Sequence, residues 1–255
     1  MKLNSLTDTH FHLSLNDDID NILKRAKENN VSNFILSACS LKDIKESLEI
    51  INKYENIYLT IGIHPDEIND YDETTIPYLE NLIINNKKII GIGEIGLDYF
   101  HNKNNTSSQI KLFKDQLSLA KKLDLPVVIH SRDAFQDTYK ILKEYNLKTT
   151  IHCFTGSLET AKLYIKEGYL LGIGGVSTFK NTNLKNSLKS IPIDNIVFET
   201  DSPYLSPEPF RGNQNEPKNI SIICDNLCSI KNLNKEEVIK ITNNNILNQY
   251  KRLTL

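Results

Sequence analysis

The chain has no tryptophan, one methionine, only four cysteines and only six histidines among its 255 residues. Four cysteines (Cys39, Cys153, Cys224 and Cys228) in a chain this long, with no export signal, do not make a disulfide framework. Cys224 and Cys228 stand four apart in a helical-looking stretch. Two thiols on one helix face describe them better than half of a zinc site, which needs a second pair. No run approaches the ~20 apolar residues of a membrane span, so no membrane contact is expected. The opening MKLNSLTDTH lacks the apolar stretch of a signal peptide, which makes the cytoplasm the expected location. A dominant charge is also missing. The 30 Lys+Arg against 32 Asp+Glu leave a net −2, which gives no broad electrostatic footprint for nucleic acid. That balance still allows a local basic groove or a metal that meets phosphate. Glycine-rich phosphate loops are absent too, since GIGEIG (91–96) is followed by Leu97-Asp98 and not by an amphipathic helix start. Asparagine is frequent, and its scatter between apolar periodic segments reads as codon bias, not low complexity.

An apolar fraction of 39 % with 24 % charged residues describes a soluble globular protein. Its length suffices for a sizeable core. Short β-branched runs recur near residues 8, 36, 61, 92, 128, 151, 172 and 198, bounded by Asn, Gly or Pro. Their spacing leaves room for one helix in each gap. Residues 17–29, 41–54, 107–124, 134–146 and 158–167 carry apolar positions at helical spacing, with Asp17, Ser107 and Asp133 as expected N-caps. A Pro-rich loop (202–217) and helices near 218–231 and 235–249 close the chain. Strand and helix in alternation favour a parallel sheet with covered faces, and the count fits a (β/α)8 TIM barrel. A doubly wound sheet is the structural alternative. With no linker and no internal repeat, residues 1–255 are expected to form one domain.

Barrel enzymes place their chemistry at the C-terminal ends of the strands. His10 and His12 end the first expected strand, His64 the third, His130 the fifth and His152 the sixth. Glu94 ends the fourth, and Glu199 with Asp201 the eighth. Residues two apart on a strand point the same way, so the His10-x-His12 pair can reach one ion. Imidazole suits zinc, manganese and iron, and carboxylates suit harder ions. His10, His12, Glu94, His130, His152 and Asp201 are too many ligands for one tetrahedral site. They fit two ions that share a bridging group, about 3.5–4 Å apart, able to activate a water for phosphoester displacement.

These residues lie in TDTHFHLS (7–14), IGIHP (61–65), GIGEIGLDYF (91–100), LPVVIHSRDA (125–134), IHCFTGS (151–157), GYLLGIGGVSTFKN (168–181) and ETDSPYLSPEPFRGNQNEP (199–217). The set, in order and across nearly the whole chain, closely resembles the TatD family of metal-dependent deoxyribonucleases. The resemblance implies an amidohydrolase-like barrel and a DNA substrate, single-stranded or met at 3′ ends, cut from the 3′ end; a monomer is the default expectation. It implies two divalent ions (Mg, Mn or Zn), one held by His10, His12, Glu94 and Asp201 with Glu94 bridging, the other completed by His130 and His152. His64 matches a position that contacts the substrate phosphate, and Asp201 is implied as a proton acceptor for the attacking water. Arg132 could pair with a phosphate oxygen or with Asp133 or Glu94. Glu199 and Asp98 are expected behind the ligands or on the substrate side, and His101 as a solvated loop residue. One departure is Ser14, where members of the family often have Asp. The missing carboxylate is expected to loosen support for His12.

The ligand set alone also permits an amidohydrolase cutting an amide, lactone or aminoacyl ester. Such enzymes often bridge their ions with a carbamylated lysine at the end of strand four. Glu94 holds that place here, which tilts the reading toward phosphoesters. A non-catalytic metal-binding protein would require a lost ligand, and none is lost.

Overall fold

A computed structural model describes residues 3–101 and 103–253. Eight strands run as β1 (Leu6–Phe11), β2 (Val31–Ala38), β3 (Ile57–Ile61), β4 (Ile89–Asp98), β5 (Val127–Arg132), β6 (Thr149–Ile151), β7 (Leu170–Ile173) and β8 (Ile196–Phe198). They form one sheet in chain order, and every neighbouring pair is parallel. The expected (β/α)8 barrel is therefore the observed fold, and the doubly wound alternative falls. At the end of β1 and just past β8 the ring is joined by the Asp201 amide to the His10 carbonyl (2.9 Å) and the His12 amide to the Ser202 carbonyl (2.8 Å).

The covering helices are α1 (Ile19–Glu28), α2 (Leu41–Lys53), α3 (Thr75–Asn85), α4 (Thr106–Leu123), α5 (Phe135–Tyr145), α6 (Leu158–Lys166), α7 (Leu184–Ser190), α8 (Ile220–Lys231) and α9 (Lys235–Gln249). Ser40 and Ser157 accept the amides of Asp43 and Thr160, satisfying donors that a helix start leaves open. The expected caps are displaced. Asp18, not Asp17, caps α1, because the Asp17 carboxylate turns back to accept the Ser14 amide at 2.7 Å. Asn105 precedes α4, so Ser107 lies inside it. Asp133 takes a left-handed φ of 53°, which Asp tolerates, and Ala134 stands at the cap position before α5.

Most apolar side chains form one large core, to which the helices contribute residues such as Ile44, Phe113 and Leu227. A smaller cluster of Ile35, Ile90, Leu170 and Val197 is closed by Ile246 and Tyr250 from the end of the chain. There α9 runs along the N-terminal ends of the strands. Asn243 donates to the Leu3 and Ser5 carbonyls and pairs with the Thr7 hydroxyl, while Asn245 donates to the Ile193 and Ile196 carbonyls. These two asparagines have specific structural partners. All four cysteines are free. The sulfurs of Cys224 and Cys228 lie 3.9 Å apart on α8, and among the described residues no third ligand joins them. Among these residues no helix is long and apolar enough to cross a membrane.

Candidate metal centre

All the expected ligands meet at the C-terminal mouth of the barrel. His10 lies within β1 and His12 one residue beyond it, with ring centroids 5.0 Å apart. Their same-sided projection follows from the strand period. His12 Nδ1 meets the Ser37 carbonyl at 3.1 Å, which turns Nε2 toward Asp201 Oδ1 at 3.4 Å. That carbonyl fixes the His12 ring, so Ser14 does not leave it unsupported.

Glu94, in β4, is 5 % exposed and central. Its Oε1 lies 2.8 Å from His130 Nδ1, 3.6 Å from His64 Nε2 and 3.8 Å from His152 Nε2. Its Oε2 lies 3.3 Å from His10 Nε2 and accepts the Cys39 thiol at 3.6 Å. Burial works against its charge, but His152, His10, His130 and His64 outweigh that and hold the carboxyl well below its usual range. Gly96, with φ at +148°, lets β4 pass close to β5, since a Cβ there would fall 2.0 Å from the His130 carbonyl oxygen.

His152 follows β6 and stacks on His10 with centroids 3.7 Å apart. Its Nδ1 is 3.1 Å from Glu199 Oε1, and its Nε2 is 3.7 Å from Asp201 Oδ1. Burial opposes the protonated ring, but Glu199, Glu94 and Asp201 push its pKa up to about 10. Glu199 reaches it through a gap left by Gly172, where a Cβ would lie 2.1 Å from Oε2. Asp201 follows β8 in a left-handed conformation, φ 56°. Burial opposes its charge as well, and His152, His12 and His10 hold its pKa below the ordinary value.

His64 accepts the Asp66 amide at Nδ1 (3.1 Å) and turns Nε2 to Glu94. Metal-sized groupings thus arise as His10, His12 and Glu94, as His10, His152 and Asp201, and as His64, Glu94 and His130. His152 sits with His10 and Asp201, and His64 takes the place expected for it beside His130. His10 is 1 % exposed, yet among the described residues neither of its ring nitrogens has a hydrogen-bond partner, and the nearest Glu94 oxygen is 3.3 Å from Nε2. Buried polar atoms are rarely left so. Burial, then His152, holds its pKa low, which favours the neutral ring that ligates metals. A divalent ion fits this donor set of imidazoles and carboxylates.

The structure adds to what the sequence predicts for His101, Arg132 and Asp8. Asp98 Oδ2 meets His130 Nε2 at 3.0 Å and His101 Nδ1 at 2.9 Å, so His101 is tied to the centre and is not merely a solvated loop residue. The Asp98-x-x-His101 spacing after a strand was the available signal. Arg132 is exposed and lies over the Phe100 ring, 4.1 Å from its centroid. Asp8 went unassigned. Buried, it accepts the Thr200 amide at 2.9 Å and the Thr200 hydroxyl at 2.5 Å, which anchors the backbone just before Asp201. Burial pushes its pKa up to about 8 although the Thr200 bonds oppose this.

The sequence matches the family model described as TatD related DNase over residues 7–251. It is 37 % identical to the metal-dependent hydrolase YabD of Bacillus subtilis over 94 % of this chain and 96 % of that one. It is 30 % identical to the metal-dependent hydrolase YcfH of Escherichia coli, covering 94 % and 93 %. The fold superposes on the crystal structure of the TatD homologue YjjV of Escherichia coli with a TM-score of 0.93, 27 % identity and coverage of 98 % and 99 %. A TatD family hydrolase of Entamoeba histolytica gives a TM-score of 0.86 at 30 % identity, covering 98 % and 99 %.

Proposed function

The chain belongs to the TatD-related DNase family of metal-dependent hydrolases, and from that premise we propose that it hydrolyses phosphodiester bonds of DNA from the 3′ end. The observation that carries this reading is the division of Glu94. Its Oε2 faces His10 at 3.3 Å, while its Oε1 faces His130 at 2.8 Å and His64 at 3.6 Å. A carboxylate with a separate imidazole group at each oxygen is what a bridge between two ions requires.

In this reading His10, His12, Glu94 and Asp201 would hold one divalent ion and Glu94 with His130 the second, and His152 would stand between them, its Nε2 3.7 Å from Asp201 Oδ1 and 3.8 Å from Glu94 Oε1; the ions would be magnesium, manganese or zinc. When bound, such a pair supplies Lewis acidity and makes a water acidic enough to yield a nucleophile near neutral pH. Asp201 presents Oδ1 within 4 Å of three imidazoles and serves as the proton acceptor. With Nδ1 accepting the Asp66 amide, His64 presents Nε2 as a donor to developing negative charge. Arg132, two residues beyond His130, offers its guanidinium edge to a phosphate oxygen.

The test is cleavage of a 5′-labelled single strand with each metal supplied in turn. A ladder shortening from the 3′ end, lost with chelator and resisted by a 3′-blocked strand, supports the reading. Intact DNA at every metal loading, with an amide, lactone or aminoacyl ester hydrolysed by the same preparation, overturns it.

A further inference from the structure

We propose that the barrel mouth carries two base-stacking platforms, Phe100 with Arg132 on one side and Tyr204 on the other, which select a strand whose nucleobases are unpaired. This rests on the nuclease reading and specifies the form of its substrate. Aromatic rings exposed beside a candidate site offer flat apolar faces to a ligand. Phe100 is 55 % exposed and Tyr204 62 %. Both are fixed beside the candidate centre by their own backbones. The Phe100 amide donates to Asp98 Oδ1 at 2.9 Å, and the same carboxylate meets His130. The Tyr204 amide donates to the Asp201 carbonyl at 2.8 Å, and its ring centroid is 6.1 Å from that of His12.

The Arg132 guanidinium lies 4.1 Å from the Phe100 centroid, so a planar cation and a ring are already stacked. Arg211 over Phe179, at 4.3 Å, repeats the pairing on the loops after β7 and β8. In the strand order, Phe100 follows β4 and Arg132 ends β5 while Tyr204 follows β8, half the ring away. A net charge of −2 does not provide for a wide surface tracking phosphates. Ring faces next to a few guanidinium groups bind strands through their bases instead, and do so without sequence preference because every base has a π-face. Bases inside a duplex are already stacked on each other, so the platforms engage a single strand or a frayed 3′ end.

The test measures binding in Glu94→Ala protein, which prevents cleavage, using a short oligothymidylate and an abasic strand with the same number of phosphates. The base-bearing strand is expected to bind about tenfold tighter or more. Phe100→Ala and Tyr204→Ala are each expected to reduce that preference about fivefold, and Phe100→Trp to restore it. Equal affinity for the two strands, or a preference untouched by both alanine variants, overturns the proposal. Cleavage without base preference removes the platforms alone. Base preference in a protein that cuts no DNA removes the nuclease reading and leaves the platforms standing.

Discussion

The two ends of the barrel treat their buried polar groups in opposite ways. At the floor, Asn243 and Asn245 meet backbone carbonyls of the strand starts, Gln249 donates to the Thr150 hydroxyl, and Arg252 donates to the carbonyls of Ile83 and Ile89. At the mouth, His10 Nδ1 and Nε2, His152 Nδ1, Glu199 Oε2 and Ser206 Oγ are buried without a hydrogen-bond partner. Buried polar groups left unpaired cost about 1–3 kcal/mol each. The floor's polar groups are satisfied by the protein itself and contribute to stability, whereas the mouth keeps donors and acceptors available for a ligand. This is the usual division of labour in such barrels, stability below and chemistry above.

The division is sharpest if one substitution at each end moves a different quantity. Glu94→Ala removes the carboxylate that meets both imidazole groups. It is expected to lower metal-dependent turnover about 1000-fold or more, equivalent to about 4 kcal/mol of transition-state stabilisation. It should also abolish the rise in melting temperature that saturating metal gives the parent, which at a hundredfold excess over Kd corresponds to about 2.7 kcal/mol. At the floor, Asn243→Ala loses bonds to Leu3, Ser5 and Thr7. It is expected to cost about 2–4 kcal/mol in urea unfolding while kcat per folded molecule stays near that of the parent. A Glu94→Ala protein that fails to fold, or a folded Asn243→Ala protein that is inactive, breaks the comparison.

The mouth was far more legible in the sequence than the floor. His10-x-His12 is a local pattern, and the strand period turns it directly into two converging side chains. The ligands on other strands followed once each β-branched run was given a C-terminal end. The floor offers no such pattern. Asn243 reaches Ser5 across 238 positions and Asn245 reaches Ile196 across 49, so nothing near either residue announces its partner. The cap of α1 failed for another reason. Asp17 and Asp18 are chemically alike neighbours, and only the return of the loop to Ser14 decides which one caps the helix. The pairing of His152 with His10 and Asp201 depends on ring stacking between β1 and the end of β6, which spacing along the chain does not encode.

A smaller effect sharpens the comparison within the mouth. Gly172 on β7 has no side chain in the space that the Glu199 carboxylate occupies. Gly172→Ala must displace Glu199, and with it the carboxylate that lies 3.1 Å from His152 Nδ1. Groups that orient metal-binding histidines typically contribute 10–100-fold, so metal affinity and turnover are expected to fall together by about that factor. Equilibrium metal titration beside kcat checks this. A fall in turnover with unchanged metal affinity would place Glu199 on the substrate side instead.

His101→Ala tests how far outward the mouth's network reaches, and its effect is expected to be the smallest. His101 shares Asp98 Oδ2 with His130, but its side chain is 47 % exposed, so water can replace it. Asp98 keeps the His130 contact and the amides of Phe100 and His101 on its other oxygen, at 2.9 Å and 2.8 Å. The variant is therefore expected to lose less than about 1 kcal/mol, read as a change of about fivefold or less in kcat/KM. Asp98→Ala removes the acceptor from His130 Nε2 itself and is expected to exceed that loss. If His101→Ala matches Asp98→Ala, the exposed imidazole and not the buried carboxylate governs the His130 ring, and the boundary between the candidate centre and its surroundings lies one residue further out.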